Sequence, residues 1–121
     1  MGKSAVSENA VRRYYELVDQ GDVDGLVGLF HPDAVYHRPG YPPLHGEKEL
    51  LDFYSSQRVI KEGRHTITTL VANGAEVAVH GEFAGTLHSG ETAETRFADF
   101  FHCDSDGMFT RRDTFFFVPR I

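Results

Sequence analysis

Cysteine is almost absent: Cys103 is the only one in 121 residues. That excludes an internal disulfide framework and a multi-cysteine metal site, and it suits a reducing, cytoplasmic location. Long hydrophobic runs are missing too. No apolar stretch approaches the roughly 18 residues of a bilayer crossing, and the opening MGKSAVSENAV has no apolar leader core, so no membrane partner is expected. Positive charge is scarce: twelve Lys and Arg face eighteen Asp and Glu, for a net charge of -6. Without a basic run interleaved with aromatics to neutralise phosphates, nucleic acid is not an expected partner. GxGxxG, GxxxxGK[ST] and GxSxG do not occur, which removes the usual support for dinucleotide, phosphate-loop and serine-hydrolase chemistry. None of the seven histidines sits in an HExxH spacing, and His80 with Glu82 merely shares a strand face, so neither metal nor other cofactor is expected. RPGYPP is too short for a linker, and residues 1–121 read as one domain.

The patterning that is present divides the chain in two. Ser7 ahead of Glu8 is a candidate helix cap, and Ala10, Tyr14, Leu17 and Gly21 recur at helical spacing, with Gly21 as the stop. Asp22 caps a second helix carrying Val23, Leu26, Val27, Leu29 and Phe30, which ends near His31-Pro32. Ala34 to Arg38 reads as a brief strand, and Glu47 to Gln57 as a third helix with Leu50, Leu51, Phe53 and Tyr54 inward. Beyond Gly63, Asn73-Gly74, Ser89-Gly90 and Asp106-Gly107 are hairpin dipeptides between strands at His65 to Ala72, Ala75 to Leu87, Thr92 to Cys103 and Met108 to Val118. The expected class is α+β: three N-terminal helices packed on a curved antiparallel sheet that encloses a pocket.

Alternation along the third of these strands puts Phe97, Asp99, Phe101 and Cys103 on one face. A carboxylate on an apolar row is kept neutral or stands beside a cation or hydrogen-bond donor; alternatively the strand is an edge and Asp99 meets water. Tyr14 faces inward from the first helix, either as a hydroxyl donor into the cavity or as an amphipathic core residue, and Tyr54 carries the same two readings. Arg38, before Pro39, is a candidate for the mouth, as an anion holder, a partner of Asp99 or a solvated surface side chain. Its neighbour His37 points the other way in a regular strand. On the last strand Arg111, Asp113, Phe115 and Phe117 share one face and Thr110, Arg112, Thr114, Phe116 and Val118 the other. Asp113 pairs with Arg111 or Arg112, or else works on a bound molecule. With both faces apolar near its end, this sheet predicts a homodimer through the outer face.

The stretches RRYYELVDQGDVDGLVGLFHPDAVYHRPG, LHGEKELLDFY, FADFFHCDSDG and RRDTFFF together resemble the NTF2-like superfamily, in its SnoaL-like and ketosteroid-isomerase-like branch, over nearly the whole chain. The resemblance implies that Tyr14 corresponds to the isomerases' oxyanion tyrosine, Asp99 to their protonated oxyanion aspartate and Tyr54 to their supporting tyrosine. Arg38 stands where those enzymes carry the aspartate that moves the proton. His37 in an irregular strand is the alternative base. RRDTF is similar to an epoxide-hydrolase motif, but His80-Gly81-Glu82 replaces the Arg and Asp of those relatives. The resemblance thus points to a pocket protein for a small hydrophobic carbonyl compound, an isomerase, cyclase or lyase. Its catalytic residues would be Tyr14, Asp99 and Arg38, and its substrate contacts Tyr54, Phe97, Phe101, Asp113 and His37. A non-catalytic ligand-binding module and an epoxide hydrolase are the alternatives.

Overall fold

A computed structural model of the protein describes residues 2–117. Helix α1 (Lys3–Gln20) buries Val11, Tyr14, Tyr15, Leu17 and Val18. It stops at Gly21, whose φ of 75° lies in the left-handed region that glycine enters without penalty. The amides of Gly21 and Asp22 then close on the carbonyls of Val18 and Leu17. Ser7 is not the cap. The helix begins before it, and the buried Ser7 hydroxyl instead reaches the carbonyl of Gly74 at 2.7 Å, tying α1 to a hairpin turn.

Asp22 does cap α2 (Val23–Val27), accepting from the Gly25 amide at 2.9 Å. This helix ends earlier than its apolar pattern predicts because the sheet takes the residues that follow. Phe109 donates its amide to Leu29, and Phe30 opens β1 (Phe30–His37), packed edge-on against Phe109. A two-residue strand, β2 (Leu44–His45), follows, then α3 (Gly46–Asp52) and one π-helical turn over Phe53–Gln57. The expected single helix widens there, and consecutive residues Phe53 and Tyr54 are both buried.

The hairpin dipeptides turn as expected, joining β3 (Ile60–Asn73), β4 (Glu76–Leu87), β5 (Thr92–Cys103) and β6 (Phe109–Phe116). Val118, expected at the end of β6, lies outside the described residues. The meander is part of a six-stranded open sheet in the order β2-β1-β6-β5-β4-β3. Its one departure from antiparallel pairing is β1 beside β6. The sheet curves around the helices, with a register shift in β3 between Ile67 and Thr69. Gly81, opposite both Ile67 and Phe97, marks this bend: a Cβ there would lie 2.6 Å from the Thr66 carbonyl and 2.7 Å from the Phe97 ring. The concave face carries Val77, Val79, Phe83, Phe97, Phe101 and Phe109, all buried, while Phe100 and Phe115 are half exposed on the convex face. No described helix is long and apolar enough to cross a membrane.

Candidate functional site

Asp99 has no exposed surface and lies inside, on the face that alternation along β5 predicts. Its partner is not Arg38. Arg112, on β6, directs Nη2 to Oδ2 at 2.8 Å and Nε to Oδ1 at 3.2 Å. Tyr15 donates to Oδ2 and Thr114 to Oδ1. Both oxygens thus receive donors, a pattern suited to a carboxylate, which only accepts. The neutral-donor reading of Asp99 finds no support in this geometry.

The other end of the guanidinium addresses two hydroxyls. Arg112 Nη1 lies 2.5 Å from Tyr14 Oη and 3.0 Å from Tyr54 Oη, and the two tyrosine oxygens are 2.6 Å apart. Burial works against the Arg112 charge, but Asp99 and the surrounding tyrosines overcome it and hold its pKa above the ordinary value. Burial pushes Tyr14 and Tyr36 up to about 12, against the pull of Arg112. Tyr15 and Tyr54 are raised well above an ordinary phenol, by burial first and then by Asp99 for Tyr15 and Tyr14 for Tyr54. These hydroxyls keep their protons at neutral pH and serve as donors.

Thr114, the donor to Asp99, also directs its hydroxyl toward Tyr36 Oη at 3.2 Å, with Tyr36 as the acceptor. Arg112 Nη1 has a hydrogen for each of Tyr14 and Tyr54, and one tyrosine donates to the other. One hydroxyl proton of the pair is left without a protein partner among the described residues.

That pair forms the floor of an apolar cavity of about 240 Å³, whose walls include Phe53, Val59, Ile60, Phe83 and Phe97. Arg38 and Arg58 line it as well, and no Asp or Glu does among the described residues. Arg38 does not touch the floor. Its guanidinium lies 4.1 Å from the Phe53 ring centre and 4.4 Å from that of Tyr41. A wider depression of about 980 Å³ opens along the sheet between Arg64, Glu82, Arg96 and residues 115–117. It holds no buried polar network, so the smaller enclosed cavity is the candidate site.

His65 also lines the cavity, a residue that the strand pattern does not single out. Asp19, near the end of α1, lies 2.6 Å from its Nδ1 and accepts its backbone amide at 2.8 Å. With Nδ1 turned to the carboxylate, Nε2 is left without a hydrogen-bond partner among the described residues. The ring is fixed between Phe83, Phe97 and Tyr15, with centroids at 4.8, 5.4 and 5.3 Å.

Of the sequence-predicted residues, the fold brings Tyr14, Tyr54, Phe97 and Arg38 to the cavity wall. Asp99 sits behind Arg112, and Phe101 packs behind the floor, 4.8 Å from Phe109 and 5.8 Å from Tyr14 between centroids. His37 and Asp113 do not line the cavity. They face each other on neighbouring strands, Nδ1 2.9 Å from Oδ1, close but misaligned for a hydrogen bond, and Asp113 also takes Arg111 Nε at 3.0 Å. Arg112, Tyr15, Tyr36, Thr114, Arg58 and the Asp19–His65 pair are the members that sequence reasoning missed.

Three solved structures share this architecture. The epoxide hydrolase/cyclase-like enzyme SalBIII, with a role in pyran ring formation in the polyether salinomycin, is 21% identical, with 93% of this chain and 91% of that chain covered at a TM-score of 0.82. A putative polyketide cyclase from Xanthomonas campestris pv. campestris has the same identity and coverage at 0.79. An NTF2-like protein of unknown function from Burkholderia pseudomallei has them at 0.82. At such identity the likeness carries the fold alone. Residues 11–112 match the SnoaL-like domain over most of the sequence, and the chain belongs to that family.

Proposed function

We propose that the protein is a cofactor-independent isomerase, cyclase or lyase acting on a small hydrophobic carbonyl compound. The observation that carries the reading is that a carboxylate-oriented imidazole and an unspent tyrosine proton line one apolar cavity. In this reading His65 Nε2 removes a proton beside the carbonyl, and the Tyr14–Tyr54 pair donates to the oxygen that gains negative charge. The resulting enolate is reprotonated elsewhere, attacks an internal electrophile or expels a leaving group, which are the isomerase, cyclase and lyase outcomes. Asp99 acts through Arg112 by holding the floor, as a positioning residue. The lack of a carboxylate on the described cavity wall disfavours water activation by paired aspartates, and with it the epoxide-hydrolase reading.

The test is α-proton exchange in D2O with a panel of small cyclic enones and 1,3-diketones, read by NMR. Catalysed exchange that falls about a hundredfold or more in His65→Gln is expected. A probe that binds tightly yet never exchanges at any pH would move the protein to the alternative, a non-catalytic binding module. Full engagement of Asp99 by Arg112 is the feature that favours that alternative.

A second copy of the chain on the convex face is the other part of the proposal. Phe100 and Phe115 stack edge-on there, 5.9 Å between centroids and about half exposed. Light scattering should give the mass of two chains at micromolar concentration, and Phe115→Glu should return it to one.

A further inference from the structure

The cavity takes its charge from one side only. In a chain with more acidic than basic residues, its described lining holds three arginines and neither Asp nor Glu. Arg112 is neutralised by Asp99 behind it. Arg38 and Arg58 are not: among the described residues neither lies within ion-pair distance of a carboxylate.

Both are anchored around one residue. The Arg38 guanidinium lies over the Phe53 ring, with Tyr41 beside it, and the Arg58 amide donates to the Phe53 carbonyl at 3.0 Å to close the π turn. Arg38 Nε is buried and has no hydrogen-bond partner among the described residues. A buried, unpaired N–H on a cation is costly unless a ligand satisfies it. The charge of Arg58 is also felt at the Tyr14 and Tyr54 hydroxyls, where it opposes the larger effect of burial.

We infer that the ligand is a small hydrophobic carboxylate, its acid group held by Arg38 and Arg58 and its apolar body in the cavity. The inference rests on the cavity being the ligand site, as proposed above, and adds the charge and the orientation of what occupies it. A planar guanidinium presents paired N–H groups that match a carboxylate, and stacking on Phe53 and Tyr41 orders Arg38 before the ligand arrives. The cavity leaves room for only a small body. A second polar group on that body, such as a ketone, would then face the tyrosine floor, so the natural substrate class is a small oxo acid or unsaturated acid. Cationic ligands are disfavoured by both arginines.

Isothermal titration with three matched probes tests this: 3-phenylpropanoate, its primary amide and its methyl ester. The carboxylate should bind about tenfold tighter than either neutral probe, and its advantage should shrink in high salt. Arg38→Gln and Arg58→Gln should each remove most of that advantage. The double variant should remove all of it, so that carboxylate and amide bind with equal affinity, with thermal melts confirming that the chains stay folded. Equal affinity of carboxylate and amide for the unaltered protein, or a preference that survives the double variant, would overturn the inference while leaving the cavity as a ligand site. Failure of all three probes to bind at millimolar concentration would instead remove the cavity as the ligand site, and this inference with it.

Discussion

Arg112 grips Asp99 from the adjacent strand with two nitrogens, and the side chains are only 5% and 0% exposed. The same guanidinium lies 4.6 Å from the Tyr14 ring centre and 4.5 Å from that of Tyr36. One buried cation therefore sets the positions of the floor tyrosines, and one carboxylate makes that cation tolerable. The pair's contribution lies as much in what happens when half of it is removed as in its own net strength.

Asp99→Leu should accordingly destabilise the protein by about 3 to 5 kcal/mol, because it strands a buried guanidinium. Arg112→Met alone should cost a similar amount by stranding the carboxylate. Asp99→Leu combined with Arg112→Met should recover much of the loss, since apolar groups of similar size need no partner. Urea midpoints of the single and double variants measure the coupling; additive losses would contradict the pairing.

The pairing also marks where the sequence stopped being legible. Alternation along Thr92–Cys103 placed Asp99 inward, and the Asn-Gly, Ser-Gly and Asp-Gly turns placed the hairpins, because both signals are local. The partner of Asp99 depends on register across the Asp106-Gly107 hairpin, where a shift beside Cys103 sets Asp99 opposite Thr114 and Arg112 diagonal to it. Local reading left Asp113 to Arg111 or Arg112; Arg111, on the same face, is its partner, while alternation turns Arg112 inward to a residue the local pattern does not name. Asp19 and His65 were out of reach for the same reason: a helix end and a strand start meet only once α1 lies across β3. Parallel pairing of β1 with β6 shortened α2, a tertiary demand that its apolar spacing does not encode.

Tyr14 and Tyr54 share one unspent proton, so removing either hydroxyl should leave the other to supply it. Tyr14→Phe and Tyr54→Phe should each lower the exchange rate only a fewfold, with a stability loss of about 1 kcal/mol for the lost hydrogen bond. The double variant should lower the rate by about a hundredfold or more, as loss of an oxyanion donor does. Rates that multiply across the two sites would show that the hydroxyls act independently and that the proton count is wrong.

Alkali should unfold the protein through the same tyrosines. Unfolded phenols titrate near 10.0, whereas burial raises Tyr14 and Tyr36 to about 12 and Tyr15 and Tyr54 also upward. Above pH 10 the unfolded chain has therefore released protons that the folded chain retains. The stabilisation is intact below pH 10 and is lost as the pH climbs through about 12. Each group contributes a slope of up to about 1.4 kcal/mol per pH unit. Phenolate absorbance of these four groups should rise together with the loss of far-ultraviolet circular dichroism; a rise that precedes unfolding would refute their burial.

Asp19→Asn separates orientation of His65 from the mere presence of an imidazole. The aspartate accepts from the His65 amide at 2.8 Å and faces Nδ1 at 2.6 Å, so it fixes the ring and selects the form with Nε2 free. An asparagine of the same shape can offer its NH2 to Nδ1, which then accepts, and the hydrogen moves to Nε2. A protonated Nε2 in the neutral ring is no base. The exchange rate should fall about a hundredfold or more, while affinity for a non-reacting ligand stays within about twofold. NMR of the imidazole nitrogens reads the tautomer directly: the proton should reside on Nδ1 in the unaltered protein and on Nε2 in the variant. An unchanged tautomer with a normal rate would leave Asp19 as a surface contact of the helix end, and His65 would lose its claim to be the oriented base.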